Sequence, residues 1–148
     1  QSAGVSAGGE NFGDWLLRCA VGDAKRCALT QRIVHSETRA VVAEIGIAQL
    51  TAGGEGYAIV LSVPEGADLA SAPAFRLDGA PEQSAMAWRV CVNAMCQASA
   101  SLSPAQVEEM NAAGRGIFGY KKYRATTVTL TPVSYNGLAD GLAAMAAK

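Results

Sequence analysis

Four cysteines, a single histidine and one stretch of interleaved cations and aromatics are the residues of this sequence whose chemistry goes beyond packing. The cysteines form two close pairs, Cys19 with Cys27 and Cys91 with Cys96. Thiols so placed suit disulfides, a four-thiolate zinc site or a redox dithiol. Zinc knuckles usually place about two to four residues between ligands, whereas seven separate Cys19 from Cys27. A redox dithiol wants about two intervening residues at a helix start, which neither pair has. Disulfides remain, with three possible connectivities. The local one is preferred because each pair brackets a turn, Gly22-Asp23-Ala24-Lys25 in the first and Val92-Asn93-Ala94-Met95 in the second. Loops this short stabilise a fold by only about 2–3 kcal/mol each when closed, yet that is a sizeable share of a small domain's stability. The even count points to an oxidising compartment.

The search for an active site yields no further assembly. His35 stands beside Ser36 and Glu37 at a strand end and reads as a solvent-facing turn residue. No serine occupies a Gly-x-Ser-x-Gly elbow. Glu108 and Glu109 are neighbours on a predicted helix, pointing about 100° apart, which suits neither a shared proton nor a metal. Gly53-Gly54-Glu55-Gly56 lacks the lysine and hydroxyl residue of a phosphate loop and reads as a turn. The expectation is no catalytic residue, no metal and no cofactor. What is left is the basic cluster Arg115, Lys121, Lys122 and Arg124, interleaved with Phe118, Tyr120 and Tyr123. Arginine and tyrosine combine charge, planar area and low entropy cost, so the cluster suits partner binding, and Lys121, Tyr123 and Arg124 are the residues expected there. Its rival role is protection of an edge strand. Arg18, Lys25, Arg26, Arg32 and Arg39 form a second basic concentration, relevant only if the fold joins the two.

These residues must be positioned by short strands. Trp15, Leu17, Cys19 and Val21 alternate with their neighbours, and Cys27, Leu29, Gln31 and Ile33 repeat the pattern after the Gly22-Asp23 turn, putting Cys19 and Cys27 on one hairpin face. Val41 to Ile47 and Tyr57 to Val63 read as a second hairpin, the latter nearly all apolar. A segment near Phe75 to Leu77, a strand carrying Met86, Trp88 and Val90, and a pair over Ile117 to Tyr123 and Thr126 to Leu130 follow. Ser103-Pro104 opens a helix with Val107 and Met110 inward and Gly114 closing it. Leu138, Leu142 and Met145 mark a second. The expected fold is all-β, a β-sandwich or barrel with one or two short helices and two local disulfides. The expected buried set is Trp15, Leu17, Leu29, Ile33, Ile45, Ile59, Leu61, Trp88, Val90, Val128 and Leu130.

Composition bounds the rest. The 148 residues are 50% hydrophobic and 17% charged, with 6% aromatics, so one folded domain with a real core is expected and disorder is not. Residues 1–11 read as a flexible mature end and 12–148 as the domain. Twelve basic and thirteen acidic side chains leave a net charge of −1, which draws the molecule toward neither nucleic acid nor an anionic bilayer. No apolar run is long enough for a membrane span. The chain starts at Gln1, which fits removal of a signal peptide.

The order and spacing of several short motifs resemble the invasion-associated locus B proteins of Gram-negative bacteria. The carriers are Gly13-Asp14-Trp15 followed by Cys19 and Cys27; Val63-Pro64-Glu65-Gly66 leading to Leu69; the pair Cys91 and Cys96; and Ser134-Tyr135-Asn136-Gly137-Leu138. Met95 stands where glycine is common in such proteins, and Leu138 where an aromatic is common. The resemblance implies a periplasmic or secreted all-β domain with two local disulfides and no established enzymatic activity. It points to binding of another envelope or host protein, linked in pathogens to host-cell invasion; the alternative is an accessory subunit docked on the periplasmic side of a membrane protein complex.

Overall fold

A computed structural model of the chain describes residues 9–20, 26–49 and 56–146. Its elements run β1 (Glu10–Phe12), β2 (Trp15–Ala20), β3 (Arg26–Val34), β4 (Val41–Gln49), β5 (Tyr57–Pro64), β6 (Ala74–Leu77), β7 (Ser84–Ala85), β8 (Ala87–Val92), β9 (Met95–Leu102), α1 (Pro104–Ala113), β10 (Arg115–Lys121), β11 (Val128–Ser134) and α2 (Leu138–Ala146). The strands form two antiparallel sheets, one of seven strands in the order β1-β2-β3-β4-β5-β9-β8 and one of four in the order β11-β10-β6-β7. The fold is the expected all-β arrangement with two short helices.

Alternation builds the larger sheet. Leu17 pairs with Leu29, Leu29 with Ile47, Ile47 with Ile59 and Ile59 with Ala100, so one row of apolar side chains crosses five strands on the inner face. The leucines and isoleucines of that row are buried, each contributing about 1.5–3 kcal/mol by leaving water. The next row, Thr30, Gly46, Val60 and Ser99, points the other way. From the smaller sheet Phe75 and Phe118 stack with centroids 5.3 Å apart, and Tyr120 meets Trp88 of the larger sheet edge-on at 6.4 Å. Helix α1 begins with a reciprocal cap: Gln106 N–H donates to Ser103 Oγ and Ser103 N–H to Gln106 Oε1. Its Val107 and Met110 are buried and Gly114 ends it, as the sequence predicts. Helix α2 buries Leu138, Leu142 and Met145 and packs on β1, β2 and β3.

Of the eleven residues expected to be buried, Trp15, Leu17, Leu29, Ile45, Ile59 and Leu61 are, while Ile33 and Trp88 are half-buried. Val90, Val128 and Leu130 are exposed, and each has an identifiable cause. Strand β8 carries a bulge between Trp88 and Val90, so Cys91 rather than Val90 shares the face of Trp88. Strand β11 extends to Ser134, and its inward residues are Thr131 and Val133, the opposite phase to Val128 and Leu130. Glu10 and Asn11, placed in the flexible end by sequence, pair with Leu17 and Leu16. The turns expected at Gly22-Asp23 and Gly53-Gly54-Glu55 lie outside the described residues, as does Lys25. Among the described residues no helix is long and apolar enough to cross a membrane.

Candidate functional site

The cysteines close as two local disulfides, Cys19–Cys27 across the β2–β3 pair and Cys91–Cys96 across the β8–β9 pair, with none free. Both span directly opposed strand positions. In the second hairpin Asn93 and Ala94 both have positive φ, the backbone of a two-residue turn that matches strand twist.

The separated sequence motifs meet in space. Gly13-Asp14-Trp15 and Ser134-Tyr135-Asn136-Gly137 close on each other: Asp14 N–H donates to the Asn136 carbonyl at 3.0 Å, Trp15 Nε1–H to the Ser134 carbonyl at 2.9 Å, and the Ser134 hydroxyl to Asp14 Oδ2. Glycine is required on both sides. A Cβ on Gly13 would stand 2.5 Å from the Asn136 carbonyl oxygen, and one on Gly137 would overlap Phe12 O. This clamp joins the two ends of the domain. Its Ser–Asp contact has no imidazole: His35 sits in the β3–β4 turn, exposed, with Nδ1 accepting from the N–H groups of Glu37 and Thr38. Tyr135 reaches into the core, where burial pushes its hydroxyl pKa up and leaves the oxygen without a hydrogen bond.

A second meeting point holds the basic cluster. After Val63-Pro64-Glu65, Gly66 O accepts from Tyr123 N–H at 2.8 Å, Asp68 N–H donates to Lys121 O at 2.8 Å, and Ala67 bridges Lys122. Glu65 N–H in turn donates to Ala94 O at the tip of the disulfide hairpin, 3.0 Å away. The turn from Lys122 to Ala125 closes by Ala125 N–H to Lys122 O at 3.0 Å. Arg124 adopts φ 66° in it, a conformation costing a non-glycine residue about 1–2 kcal/mol. Its guanidinium lies 5.4 Å from the centre of the Tyr123 ring. Tyr123 is 64% exposed.

Lys121 stands apart from its neighbours. Its Nζ is 3.4 Å from Asp68 Oδ2, with the lysine side chain 37% exposed and the aspartate 19%. The Ala70 N–H holds the Asp68 carboxyl below its ordinary pKa of 3.8; the Ser71 hydroxyl and Lys121 act in the same direction, against partial desolvation. Lys121 therefore anchors the turn, while Tyr123 and Arg124 face solvent. Strand β10 is paired with β11 along its length and with β6 over Gly116–Gly119, so it is not itself an edge strand, whereas Lys122 and Arg124 lie in the turn that leads into the edge strand β11. Of the second basic concentration, Arg18 and Arg32 lie on β2 and β3, and Arg32 shares a shallow recess with Arg115, so the two concentrations meet at that point.

A recess of about 520 Å³ lies between α1 and the β6–β7 connection, lined by Phe75, Leu77 and Met110 together with Asp78, Glu82 and Glu109. Glu108 is exposed on α1. Among the described residues no group of three or more histidine, cysteine or acidic side chains is placed to hold a metal ion.

No curated protein matches the sequence. The crystal structure of invasion associated protein b from Bartonella henselae has the same fold, with a TM-score of 0.81 over 95% of this chain and 96% of that one, at 21% identity. Residues 15–146 match the family described as "Invasion associated locus B (IalB) protein". The span runs from Trp15 of the terminal clamp to the last residue of α2, and the chain belongs to the invasion associated locus B family.

Proposed function

We propose that the chain is a non-enzymatic binding domain of the bacterial envelope, periplasmic or secreted, that engages another protein of the envelope or of a host. The observation that carries this reading is the construction of the Lys122–Ala125 turn. Backbone bonds from Gly66 and Asp68 and the Asp68–Lys121 pair fix its base, yet Tyr123 and Arg124 project into solvent. An aromatic and an arginine held rigid before binding lose little entropy on association, which is what interface anchors require. Lys121 belongs to the surface as its anchor. Two local disulfides fit an oxidising compartment and suit a small domain that works outside the cytoplasm.

The reading is tested by recovering partners from native membranes in mild detergent, with the wild-type chain and with Tyr123→Ala/Arg124→Glu as baits. Because both side chains are exposed, the variant should melt within a few degrees of wild type. It should lose a protein that wild type retains. Equal recovery by the folded variant would remove the turn from the binding surface.

A further inference from the structure

The smaller sheet turns one face to the core and leaves the other uncovered. Phe118, Tyr120, Thr131 and Val133 are buried, so the alternate residues of β10 and β11 point outward. The register places Ile117 between Arg76 and Pro132, Gly119 opposite Leu130, and Lys121 opposite Val128. Val128 is 56% and Leu130 61% exposed. Gly119 makes room for both, since a Cβ there would stand 3.1 Å from Val128 Cγ1 and 3.3 Å from Leu130 Cδ2. Two aliphatic side chains thus lie side by side in water, on the kind of sheet face that ordinarily carries polar groups.

Charge frames them. Arg76 and Arg115 stand near one end of the face, and Lys121 with the Lys122–Arg124 turn at the other; Ile117 to Lys121 spans about 13 Å of strand. Between Met110 and Ala139 the sequence has no aspartate or glutamate. Three acids reach in from elsewhere: Asp78 is held by Arg115 at 3.2 Å, Asp68 by Lys121 at 3.4 Å, and Asp14, which lines a recess with Arg115 and Pro132, accepts from the Ser134 hydroxyl. Arg76, Lys122 and Arg124 have no ion pair among the described residues. A shallow recess of about 270 Å³ beside Arg76, Arg115, Ile117 and Pro132 offers a seat for one side chain.

The face, not the neighbouring edge, is the surface on offer. Ser134 turns its N–H and C=O away from β10 to the Gln31 side chain, so Pro132, Leu130 and Val128 direct theirs to the same free edge. Pro132 has no N–H to give, and a strand added there would lose its pairing at that point.

We propose that this outer face is the docking surface for an extended acidic segment of the partner protein, its carboxylates meeting the cations at the two ends and an apolar side chain between them covering Val128 and Leu130. The inference rests on the protein-binding reading above and names the chemistry of the partner. A second copy of this chain is disfavoured because its like face would bring cations against cations. An anionic bilayer is best met by apolar groups standing beyond the cations. Here they lie between two cationic ends, a spacing that a polypeptide of fixed sequence can match.

The test places a photo-crosslinking amino acid at Leu130 of the full chain in its native cells and sequences the peptide that it captures. The expected peptide carries carboxylates on both sides of an apolar residue within about five positions. Adduct yield should fall about tenfold with Arg76→Glu/Arg124→Glu and recover when the partner's carboxylates are changed to lysine. Leu130 itself tolerates the probe because it is exposed, and the melting temperature of each variant checks the fold. A captured protein whose contact peptide is neutral or basic would overturn the acidic-segment assignment and leave protein binding standing. Lipid adducts, with binding to phosphatidylglycerol vesicles that survives the charge reversal of no cation, would put a membrane in the segment's place. No adduct from Leu130 or from a probe at Tyr123 would sink both readings.

Discussion

The side chain of Gln31 pairs with the backbone of Ser134 in both directions: Gln31 Nε2–H donates to Ser134 O at 2.7 Å, and Ser134 N–H donates to Gln31 Oε1 at 3.0 Å. Gln31 is on the inner face of β3 and is buried, whereas Ser134 ends β11 in the other sheet. The amide does for β11 what a neighbouring strand would do, and it joins the two layers where the terminal clamp closes. A buried amide with both atoms bonded is also a specific joint, because few other placements satisfy it.

Gln31→Ala should therefore cost about 1–3 kcal/mol, since it leaves the Ser134 N–H without a partner at a partly buried site. The Ser134 carbonyl keeps the bond from Trp15 Nε1. Urea unfolding gives the loss, and amide exchange should show faster exchange at Ser134 than at Phe118 in the middle of β10. An unchanged urea midpoint would mean that the joint is incidental.

Two glycines of the resemblance motifs should respond differently to alanine. At Gly137 the backbone has φ 88° and an added Cβ would overlap Phe12, so Gly137→Ala should cost about 3 kcal/mol or more. Gly66 has φ 114° with open space around it, so Gly66→Ala meets backbone strain alone and should cost less, about 1–3 kcal/mol. Equal losses in thermal melts would refute the close approach at the clamp.

Acid should loosen the base of the binding turn. Because the folded-state pKa of Asp68 lies below its ordinary 3.8, the carboxylate adds stability that is complete above that value and is lost as pH falls through the lower folded one. The gap in stability between wild type and Asp68→Asn should be constant at neutral pH and shrink below about pH 4. Unfolding curves of both proteins between about pH 2 and pH 6 test this. A gap that grows with acid would reverse the assigned sign.

The sequence is most legible where side chains alternate strongly or caps are explicit. Trp15-Leu17-Cys19 with Leu29-Gln31-Ile33 predicts the β2–β3 hairpin and its disulfide, and Ser103-Pro104 with Gly114 predicts both ends of α1. Strand β9 receives no assignment because Gln97, Ala98, Ser99, Ala100 and Ser101 have weak strand preference; its place between β5 and β8 is a tertiary effect. The exposure of Val90 follows from a bulge, and that of Val128 and Leu130 from the pairing phase of β11, and neither leaves a local signature. At the candidate site the residue types are readable, but the division of labour is not. Lys121 proves to be an anchor only because the chain brings Asp68 beside it from 53 positions away. The joining of Gly13-Asp14-Trp15 to Ser134-Tyr135-Asn136-Gly137 is likewise invisible in a linear reading.

A scan of photo-crosslinking positions over the surface of the intact chain in its native cells compares the possible working faces in one measurement. Tyr123 samples the basic turn, Ser99 the outer face of the seven-stranded sheet, and His35 the β3–β4 turn, all away from the clamp. If the domain works by binding a protein through the turn that Gly66 and Asp68 hold, protein adducts form at Tyr123 and are absent at Ser99 and His35. Adducts at Ser99 or His35 with none at Tyr123 would contradict the account and move the binding surface to another face.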